Sequence, residues 1–395
     1  MEPRAVPVLQ RNTLERERDR EIELMPLSKV IPEQYQQLLE EKVDGVRELL
    51  APYGAPAPDI YSSALTGFRM RAEFRMWHDG DELDYVMFRR DDPKTPVPIK
   101  DFPIACESIQ RLMPALLEAI KGNPELRHKL FQVEFLSTLA GESLITLVYH
   151  RKLEPSWETE AQQLRASLTD ISPTLSLIGR SRKQKIVLGQ EWVCETLDID
   201  GQSFRYQQYE QAFTQPNARV NIEMISWACA QAKNLSGDLI ELYCGNGNFT
   251  LPLAQHFGEV IATELAKVSV RAARENLAMN AVSNIQIIRL SAEEVTQAMN
   301  QVREFRRLKE LRRPLHEYDL RTVFVDPPRA GLDDQTVKMV ARFESIIYIS
   351  CNPKTLADNL STLRETHKIE RFALFDQFPY TDHMECGLLL TRKTN

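Results

Sequence analysis

Residues 238–249 are the stretch that decides the fold, and they read Asp238-Leu-Ile-Glu-Leu-Tyr-Cys-Gly-Asn-Gly-Asn-Phe249. The first half is an apolar run typical of a buried strand, and the second half is a glycine-rich turn. Gly245 and Gly247 let the backbone bend tightly and come close to a ligand. The third glycine of a dinucleotide-binding turn is missing, because Thr250 stands there. A pyrophosphate site is therefore disfavoured, and the alternatives are another cofactor or an ordinary strand–turn–helix.

The chain after about Gln215 alternates between strand-like and helix-like segments, which is typical of a parallel α/β sheet. Helices are predicted between the strands, for example at Lys267–Met279 and Thr355–Leu363. Only a loop, 376–386, separates the last two strands, so we expect them to form an antiparallel hairpin at the sheet edge. Seven strands ending in such a hairpin resemble the Rossmann-like fold of S-adenosylmethionine methyltransferases. The predicted strands are Leu239–Tyr243, Val260–Thr263, Ile285–Leu290, Thr322–Val325, Ile346–Ile349, Phe372–Phe375 and Gly387–Thr391.

A carboxylate at the end of the second of these strands adds to the cofactor prediction. Glu264 stands where it could accept hydrogen bonds from two ribose hydroxyls. A methionine-derived cofactor needs this carboxylate together with a close turn, here at Gly245, for its amino-acid end. The two features favour S-adenosylmethionine. Cys244, beside the turn, is expected to be a packing residue.

Two motifs end neighbouring predicted strands. Phe324-Val-Asp326-Pro-Pro-Arg329 ends one, and Tyr348-Ile-Ser-Cys351-Asn-Pro353 ends the next. Ligands of open α/β sheets bind at these carboxyl ends. Pro353 fits the first position of a helix, and a thiol at a helix N-terminus has a lowered pKa and more thiolate. Cys351 is therefore a candidate nucleophile, with a buried structural cysteine as the alternative.

A nucleophilic thiolate has a specific use in methyl transfer to carbon. Carbon 5 of uracil is a poor nucleophile, but adding a thiolate at carbon 6 places electron density on carbon 5. A base must then remove the carbon-5 proton before the thiolate can leave. The loop of the terminal hairpin offers Glu385 as this base, with His383 and Cys386 as competitors.

The N-terminal half is predicted to be a separate α+β domain. A helix is expected from about Pro32 to Leu50. In residues 68–76, apolar residues alternate with polar ones, which predicts a strand with Arg69, Arg71 and Arg75 on one exposed face. Further strands and helices follow to about residue 208. The expected organisation is a charged, disordered extension at 1–30, an α+β RNA-binding domain at 31–210 and a catalytic domain at 211–395.

Bulk composition limits the class of protein. The 395 residues are 43% hydrophobic and 27% charged, as in soluble globular proteins. There is no apolar run of membrane-helix length and no signal-peptide pattern. The six cysteines form no CxxC pair, which disfavours a zinc or iron–sulfur site and favours a reducing cytoplasm. The net charge of −7 requires any nucleic acid to bind a local basic face.

Five motifs together resemble the RNA 5-methyluridine methyltransferase family, and most closely its tRNA (uracil-5-) branch. The likeness extends over nearly all of the chain after about residue 30, including Phe68-Arg-Met-Arg-Ala-Glu-Phe74 and Leu126-Arg-His-Lys-Leu-Phe131. The four-cysteine cluster and N-terminal β-barrel of ribosomal-RNA branches are not visible. The motifs are Phe213-Thr-Gln-Pro-Asn217, Glu241-Leu-Tyr-Cys-Gly-Asn-Gly-Asn248, Val325-Asp-Pro-Pro-Arg329, Ser350-Cys-Asn-Pro353 and His383-Met-Glu-Cys386.

The resemblance implies methylation of the T-loop uridine of tRNA, position 54 in the tRNA convention. It makes Cys351 the nucleophile and Glu385 the proton acceptor, and it favours Glu385 over its competitors. We further expect a monomer, tRNA or another RNA with a T-arm-like loop as partner, and neither a metal nor an iron–sulfur cluster. The implied cofactor contacts are Gln215, Tyr243, Asn248, Glu264 and Asp326.

The target base must leave its stack to expose carbon 6, so the protein needs phosphate-binding cations and a stacking group. Arg71, Arg75 and Phe131 are the leading candidates, although Phe131 could instead be a core residue. The run 303–313 is expected to be an exposed helix. The other basic candidates are Arg69, Arg127, His128, Lys129, Arg180, Arg182, Lys183 and Lys185.

Two other functions compete with an RNA methyltransferase. A nicotinamide- or flavin-dependent oxidoreductase would share the Rossmann-like sheet, but the missing third glycine and the motifs of Asp326 and Cys351 oppose it. A non-catalytic RNA-binding or RNA-folding protein with a methyltransferase fold would tolerate loss of Cys351. An RNA-folding role could also coexist with catalysis.

Overall fold

A computed structural model of the chain describes residues 30–89 and 92–394. The predicted disordered extension, 1–30, lies outside these residues apart from Val30. The described residues contain a seven-stranded sheet, an eight-stranded sheet and a two-stranded hairpin. The α/β architecture with a Rossmann-like sheet and a preceding α+β half agrees with the sequence prediction.

The N-terminal half begins with helix α1 (Tyr35–Leu50) and strand β1 (Asp59–Tyr61). A seven-stranded sheet follows, in the order β4-β3-β2-β5-β6-β7-β8. All its neighbours are antiparallel except β6 and β7. Its elements are β2 (Arg71–Asp79), β3 (Glu82–Phe88), β4 (Pro96–Pro98), α2 (Glu107–Lys121), α3 (Pro124–Arg127), β5 (Leu130–Ser137), β6 (Ser143–Tyr149), α4 (Pro155–Ser167), β7 (Leu175–Ser181) and β8 (Gln184–Leu188), and the hairpin β9 (Trp192–Ile199) and β10 (Gln202–Tyr209) follows.

The C-terminal half is built around the larger sheet, whose order is β1-β16-β17-β15-β14-β11-β12-β13. All neighbours are parallel except those of β17. Its elements are α5 (Ala218–Ala232), β11 (Asp238–Leu242), α6 (Thr250–Leu253), β12 (Val260–Thr263), α7 (Lys267–Met279), β13 (Ile285–Ile288), α8 (Ala292–Met299), β14 (Leu320–Val325), α9 (Asp334–Val340), β15 (Ser345–Ser350), α10 (Pro353–Leu363), β16 (His367–Phe375) and β17 (Glu385–Arg392).

The predicted α+β domain, 31–210, includes the residues of α1 and β1, but in the structure both elements belong to the C-terminal sheet and its core. Five apolar residues of α1, spaced by three or four positions, are buried in the core that also contains residues of the C-terminal sheet and of helices α9 and α10. β1 pairs in parallel with β16. The terminal hairpin is therefore not the edge of the sheet, because β1 covers β16. Amphipathic spacing shows that a helix buries one face but not which sheet it covers.

The run 303–313 is not the regular helix that we expected. It contains one short 3-10 helix, Arg306–Glu310, and its buried residues Phe305 and Leu311 pack into the core of the C-terminal half. Its arginines are partly ion-paired, for example Arg312 with Glu259 at 3.1 Å.

One glycine of the N-terminal sheet tests the packing of α4 on that sheet. Trp157 of α4 is fully buried, and a Cβ added to Gly179 of β7 would lie 2.2 Å from its ring carbon Cη2. Gly179→Ala should therefore lower the free energy of unfolding by about 1–3 kcal/mol, because it overpacks a filled core. The measurement is the urea midpoint of unfolding.

Gly45 provides the matched control for this prediction. It lies on the exposed face of α1, and an added Cβ would meet nothing within 4 Å. Gly45→Ala should raise stability by about 0.5–1 kcal/mol, because alanine favours the helix. A Gly179→Ala protein as stable as the wild type would contradict the packing described here.

Candidate functional site

The candidate site lies at one edge of the C-terminal sheet. The parallel strands β11, β12, β14 and β15 all end at this edge, so the residues that follow them come together there. β17 runs in the opposite direction, so it begins at the edge where the parallel strands end. Side chains from five strands therefore converge on one region.

The register of β15 and β17 brings the two predicted catalytic residues together. Ser350 pairs with Cys386, so the next positions outward, Cys351 and Glu385, face each other. Directly opposed Cα atoms in an antiparallel pair lie about 4.5–5.5 Å apart. The Cys351 thiol is half-buried, and Glu385 is only 3% exposed.

Burial and neighbouring acids control the protonation of this pair. The pKa of Glu385 is raised to about 8, mainly because burial disfavours the carboxylate and secondly because Asp326 is close, while Arg329 opposes the shift. The pKa of Cys351 is raised to about 11 by burial, by Glu385 and by Asp326. The start of α10 predicts a lowered thiol pKa, but in the structure desolvation and two acids outweigh the helix terminus.

Asp326 occupies the next strand end. It follows the last residue of β14, and Val325 of that strand pairs with Tyr348 of β15. Burial raises the pKa of Asp326 to about 7. No described residue donates a hydrogen bond to its carboxylate, so its oxygens are free to accept hydrogen bonds from a ligand.

The turn after β11 has the backbone shape of a ligand cradle. Tyr243, Gly245 and Gly247 have φ values of 63°, 56° and 88°. The left-handed turn thus begins at Tyr243, a residue type for which this conformation is costly. Gly245 donates its N–H to Glu264 Oε2 at 3.1 Å, and Ala266 donates to Glu264 Oε1 at 2.7 Å. Two backbone donors therefore orient the Glu264 carboxylate beside the turn.

Unpartnered polar atoms around this cradle fit a ligand rich in hydrogen-bond donors. Glu241 Oε2 and Gln215 Oε1 are buried and have no partner among the described residues. Burial raises the pKa of Glu241 to about 8; the neighbouring Thr250 hydroxyl opposes this shift and Asp326 adds to it. Leaving such atoms unpaired is unfavourable unless a ligand supplies the donors. A cofactor with an amino group and ribose hydroxyls meets this demand.

The predicted site residues differ in whether their polar atoms already have hydrogen-bond partners within the protein. Asn248 already exchanges two 2.9 Å side-chain hydrogen bonds with Asn221. Glu241 begins one of the five sequence motifs but is not among the predicted cofactor contacts. An acidic residue within an otherwise apolar buried strand was the signal that could have identified it.

The competitors of Glu385 are placed less favourably. Cys386 is fully buried among the apolar residues on the opposite face of β17. The His383 ring lies 2.8 Å from the Arg329 guanidinium. Arg329 is in turn fixed through its carbonyl, which accepts hydrogen bonds from Asn352 and Thr355 at 3.0 and 3.1 Å.

The three predicted RNA contacts differ in their surroundings. Arg71 donates to the backbone carbonyls of Glu210 and Ala212, so its guanidinium is bound within the protein. Arg75 is exposed, and its guanidinium carbon lies 3.9 Å from the centre of the half-buried Phe131 ring. Phe131 also stacks on His150, with ring centres 3.9 Å apart and an interplanar angle of 25°.

Four of the eight other basic candidates make side-chain contacts within the protein. Arg69 donates to the Arg71 carbonyl at 2.7 Å, and Arg127 donates to the Gly80 carbonyl at 2.8 Å. Arg180 forms a two-pronged ion pair with the buried Glu210. Lys185 contacts the same carboxylate at 3.5 Å. These contacts reduce the positive charge available to RNA phosphates.

Three negative findings apply to the described residues. All six cysteines are free, and five of them are buried. No group of three or more His, Cys, Asp or Glu could hold a metal ion. None of the helices combines the length and the apolar character that crossing a membrane would require.

The chain is similar to known proteins over most of its length. A family model described as tRNA (Uracil-5-)-methyltransferase matches residues 34–393. Two curated relatives, both named tRNA/tmRNA (uracil-C(5))-methyltransferase, come from Vibrio parahaemolyticus and Shewanella amazonensis. They are 53% and 54% identical, and each alignment covers 92% of this chain and 98% of the relative.

A solved structure supports the same fold. It is the Pyrococcus abyssi tRNA (uracil-54, C5)-methyltransferase in complex with S-adenosyl-L-homocysteine, with a TM-score of 0.68 and 22% identity. The likeness covers 90% of this chain and 83% of that one. At this identity the likeness establishes the fold, whereas the family model and the curated relatives establish the family. The chain belongs to the tRNA (uracil-5-)-methyltransferase family.

Proposed function

We propose that this protein methylates carbon 5 of the T-loop uridine of tRNA, position 54, with S-adenosylmethionine as methyl donor and Cys351 as covalent nucleophile. The observation that carries the proposal is the register of β15 and β17, which sets Cys351 opposite the buried Glu385. The names of the curated relatives support uracil in tRNA as the target. The name of the Pyrococcus protein supports position 54.

The reaction begins and ends with the Cys351 sulfur. The thiolate adds to carbon 6 of uracil, and the electron pair of the 5,6 double bond moves to form an enolate. When bound, the cofactor would supply an electrophilic methyl group, which carbon 5 takes up as the bond between that methyl group and the cofactor's sulfur breaks and S-adenosylhomocysteine leaves. The Glu385 carboxylate then accepts the carbon-5 proton, and the electron pair of that C–H bond restores the double bond and expels the thiolate.

The raised pKa of Glu385 suits this role. A carboxylate whose pKa is near the pH of the solution is a stronger base than an exposed carboxylate, yet it is still partly deprotonated. Arg329 moderates the negative charge that Glu385, Asp326 and a Cys351 thiolate would share, since its cation lowers the pKa of both catalytic groups.

The cofactor would lie across the ends of β11, β12 and β14. Glu264 would accept hydrogen bonds from the ribose hydroxyls, and two backbone N–H groups already orient its carboxylate. Glu241 is positioned to neutralise an amino group. The proposed cofactor contacts are Gln215, Tyr243, Gly245, Asn248, Glu264 and Asp326, to which we add Glu241.

The RNA would meet the N-terminal sheet through the stack of Arg75, Phe131 and His150. Aromatic rings and arginine offer π faces on which an unstacked base can lie, and Arg75 can also attract a phosphate. Arg71 would act indirectly, because its hydrogen bonds join this sheet to the segment before Gln215. The cytoplasm, as the compartment that holds tRNA, is the proposed location.

Covalent trapping tests the mechanism. A synthetic T-arm hairpin with 5-fluorouridine at the target position should form a complex with the protein that survives SDS and carries the transferred methyl group, because fluorine cannot leave as a proton does. Cys351→Ala should abolish this complex. A gel shift under denaturing conditions, with mass spectrometry of the adduct, is the measurement.

Two controls make the trapping result specific. Cys386→Ala removes the neighbouring thiol that faces away from the site, and this variant should still form the adduct. An anticodon-arm hairpin with the same substituted base should not react. Adduct formation by the Cys351→Ala protein would overturn the mechanism, and equal reaction of both hairpins would overturn the T-loop assignment.

The pH dependence of trapping follows from the thiol. Because the pKa of Cys351 is raised to about 11, the thiol is mostly protonated at neutral pH. The rate of adduct formation should therefore rise by about tenfold per pH unit between pH 6.5 and 9, in proportion to the thiolate fraction. Single-turnover trapping measures this rate, and Glu385→Gln should keep the rise but move it to lower pH, because it removes one of the acids that raise the thiol pKa. A rate independent of pH would refute a thiolate formed from a protonated resting state.

The ring of Phe131 tests the proposed RNA contact. Phe131→Leu keeps an apolar side chain but removes the aromatic face that holds Arg75 and His150 in the stack, so affinity for the T-arm should fall by about 1–3 kcal/mol, or roughly fivefold to 150-fold. Phe131→Tyr keeps the face and should bind as the wild type does. Filter binding measures RNA affinity, and unchanged binding of S-adenosylhomocysteine serves as the control for folding. Equal RNA affinity of the Leu and Tyr variants would rule out stacking.

A further inference from the structure

Lys42 of α1 joins both arms of the loop that precedes Glu385. The loop, 376–384, connects β16 to β17, whose outermost pair is Phe375 with Glu385. Lys42 donates to the carboxylate of Asp376, to the carbonyl of Phe378 at 3.2 Å and to the carbonyl of His383 at 3.0 Å. The three hydrogens of its ammonium group thus contact the beginning and the end of the loop.

This contact is buried and comes from a distant part of the chain. The Lys42 side chain is 9% exposed and that of Asp376 is fully buried. A buried ammonium group is tolerated only where partners compensate for its lost hydration, and here one carboxylate and two carbonyls do so. Breaking one side of such a pair leaves the other buried and uncompensated, so the pair holds the loop in one arrangement.

Other contacts hold the loop at its start and middle. The backbone N–H of Asn217 donates to Gln377 Oε1 at 2.7 Å, and the Tyr380 hydroxyl donates to the carbonyl of Leu65 at 2.8 Å. Lys42 differs from these because it reaches His383, two residues before Glu385. It therefore fixes the backbone from which the Glu385 carboxylate projects.

We propose that Lys42 is a positioning residue for the proton-transfer step, which holds the Glu385 carboxylate within reach of the carbon-5 proton. The inference rests on the proposed function. A general base must come within about 2.6–3.2 Å of the atom whose proton it removes, and small displacements are costly. In that step the proton passes from carbon 5 to Glu385, the C–H pair re-forms the 5,6 double bond, and Cys351 leaves as thiolate. The formation of the adduct and the methyl transfer precede this step and do not require Glu385.

Substitution of Lys42 should therefore separate two rates. With the full-length protein, ordinary uridine in the T-arm hairpin and methyl-labelled S-adenosylmethionine, Lys42→Met should form the adduct at about the wild-type rate. It should release product at least about tenfold more slowly, because a displaced base loses part of a 10²–10⁴-fold contribution. The methylated protein–RNA complex should then accumulate and survive SDS, as it should in Glu385→Gln.

Three further variants complete the test. Arg313→Met is the matched control, because it also removes an ion pair to a buried carboxylate, that of Asp238, but at the opposite end of β11. It should not accumulate adduct. Lys42→Arg keeps the charge and should recover part of the turnover. This variant also keeps the inference testable if the Lys42→Met protein fails to fold. In the double variant of Lys42→Met and Glu385→Gln, elimination should be no slower than in Glu385→Gln alone.

The outcomes separate this inference from the proposed function. If Glu385→Gln traps the adduct while Lys42→Met turns over as Arg313→Met does, the positioning role is overturned and the mechanism stands. If adduct formation and release fall together in Lys42→Met and in Lys42→Arg, the role of Lys42 is structural and the inference is also overturned. If Glu385→Gln traps nothing, the proposed mechanism itself fails.

Discussion

The pairing of one reversed strand with its parallel neighbour is the constraint on which the rest of the site depends. Strands that run in parallel present their carboxyl ends at the same edge, so they alone bring residues such as Asp326 and Cys351 together. β17 runs the other way, and its first residue, Glu385, therefore arrives at that same edge. A slip of one residue in the register would turn Glu385 to the opposite face, where Cys386 now packs against apolar residues.

The convergence of strand ends at one edge of the C-terminal sheet also brings several acidic side chains together where they are buried from water. The pKa values of Glu241 and Glu385 are raised to about 8, and that of Asp326 to about 7. An acid whose pKa is raised by folding binds its proton more tightly in the native chain than in the unfolded one. Its stabilising contribution is therefore complete below the unfolded pKa and is lost as pH rises through the native value. These three acids therefore make the site less stable as pH rises through 7 and 8, and the loss persists at higher pH, where all three carry charge.

Much of this arrangement could be predicted from sequence, because periodicity and strand ends are local signals. The strands of the C-terminal sheet, the cradle at Gly245 and the edge shared by Asp326 and Cys351 all follow from residues close together in the chain. Long-range contacts could not be predicted. The spacing of α1 carries no information about the sheet it covers. Arg71 donates its hydrogen bonds to carbonyls about 140 positions away, and the pKa of Cys351 depends on acids from two other strands.

A short segment links the proposed RNA-binding sheet to the catalytic edge. Met70, just before β2, donates its N–H to the carbonyl of Pro216 at 2.7 Å, and Asn217 is tied to Gln377 in the loop before Glu385. Gln215, with its unpartnered oxygen, lies between these ties and the carbonyls that Arg71 binds. β2 also carries Arg75. An RNA base placed against the proposed Phe131 stack would therefore lie at a fixed position relative to Cys351, the cofactor cradle and the general base Glu385. The two halves therefore share one segment, so a displacement of the N-terminal sheet would move the proposed cofactor site with it.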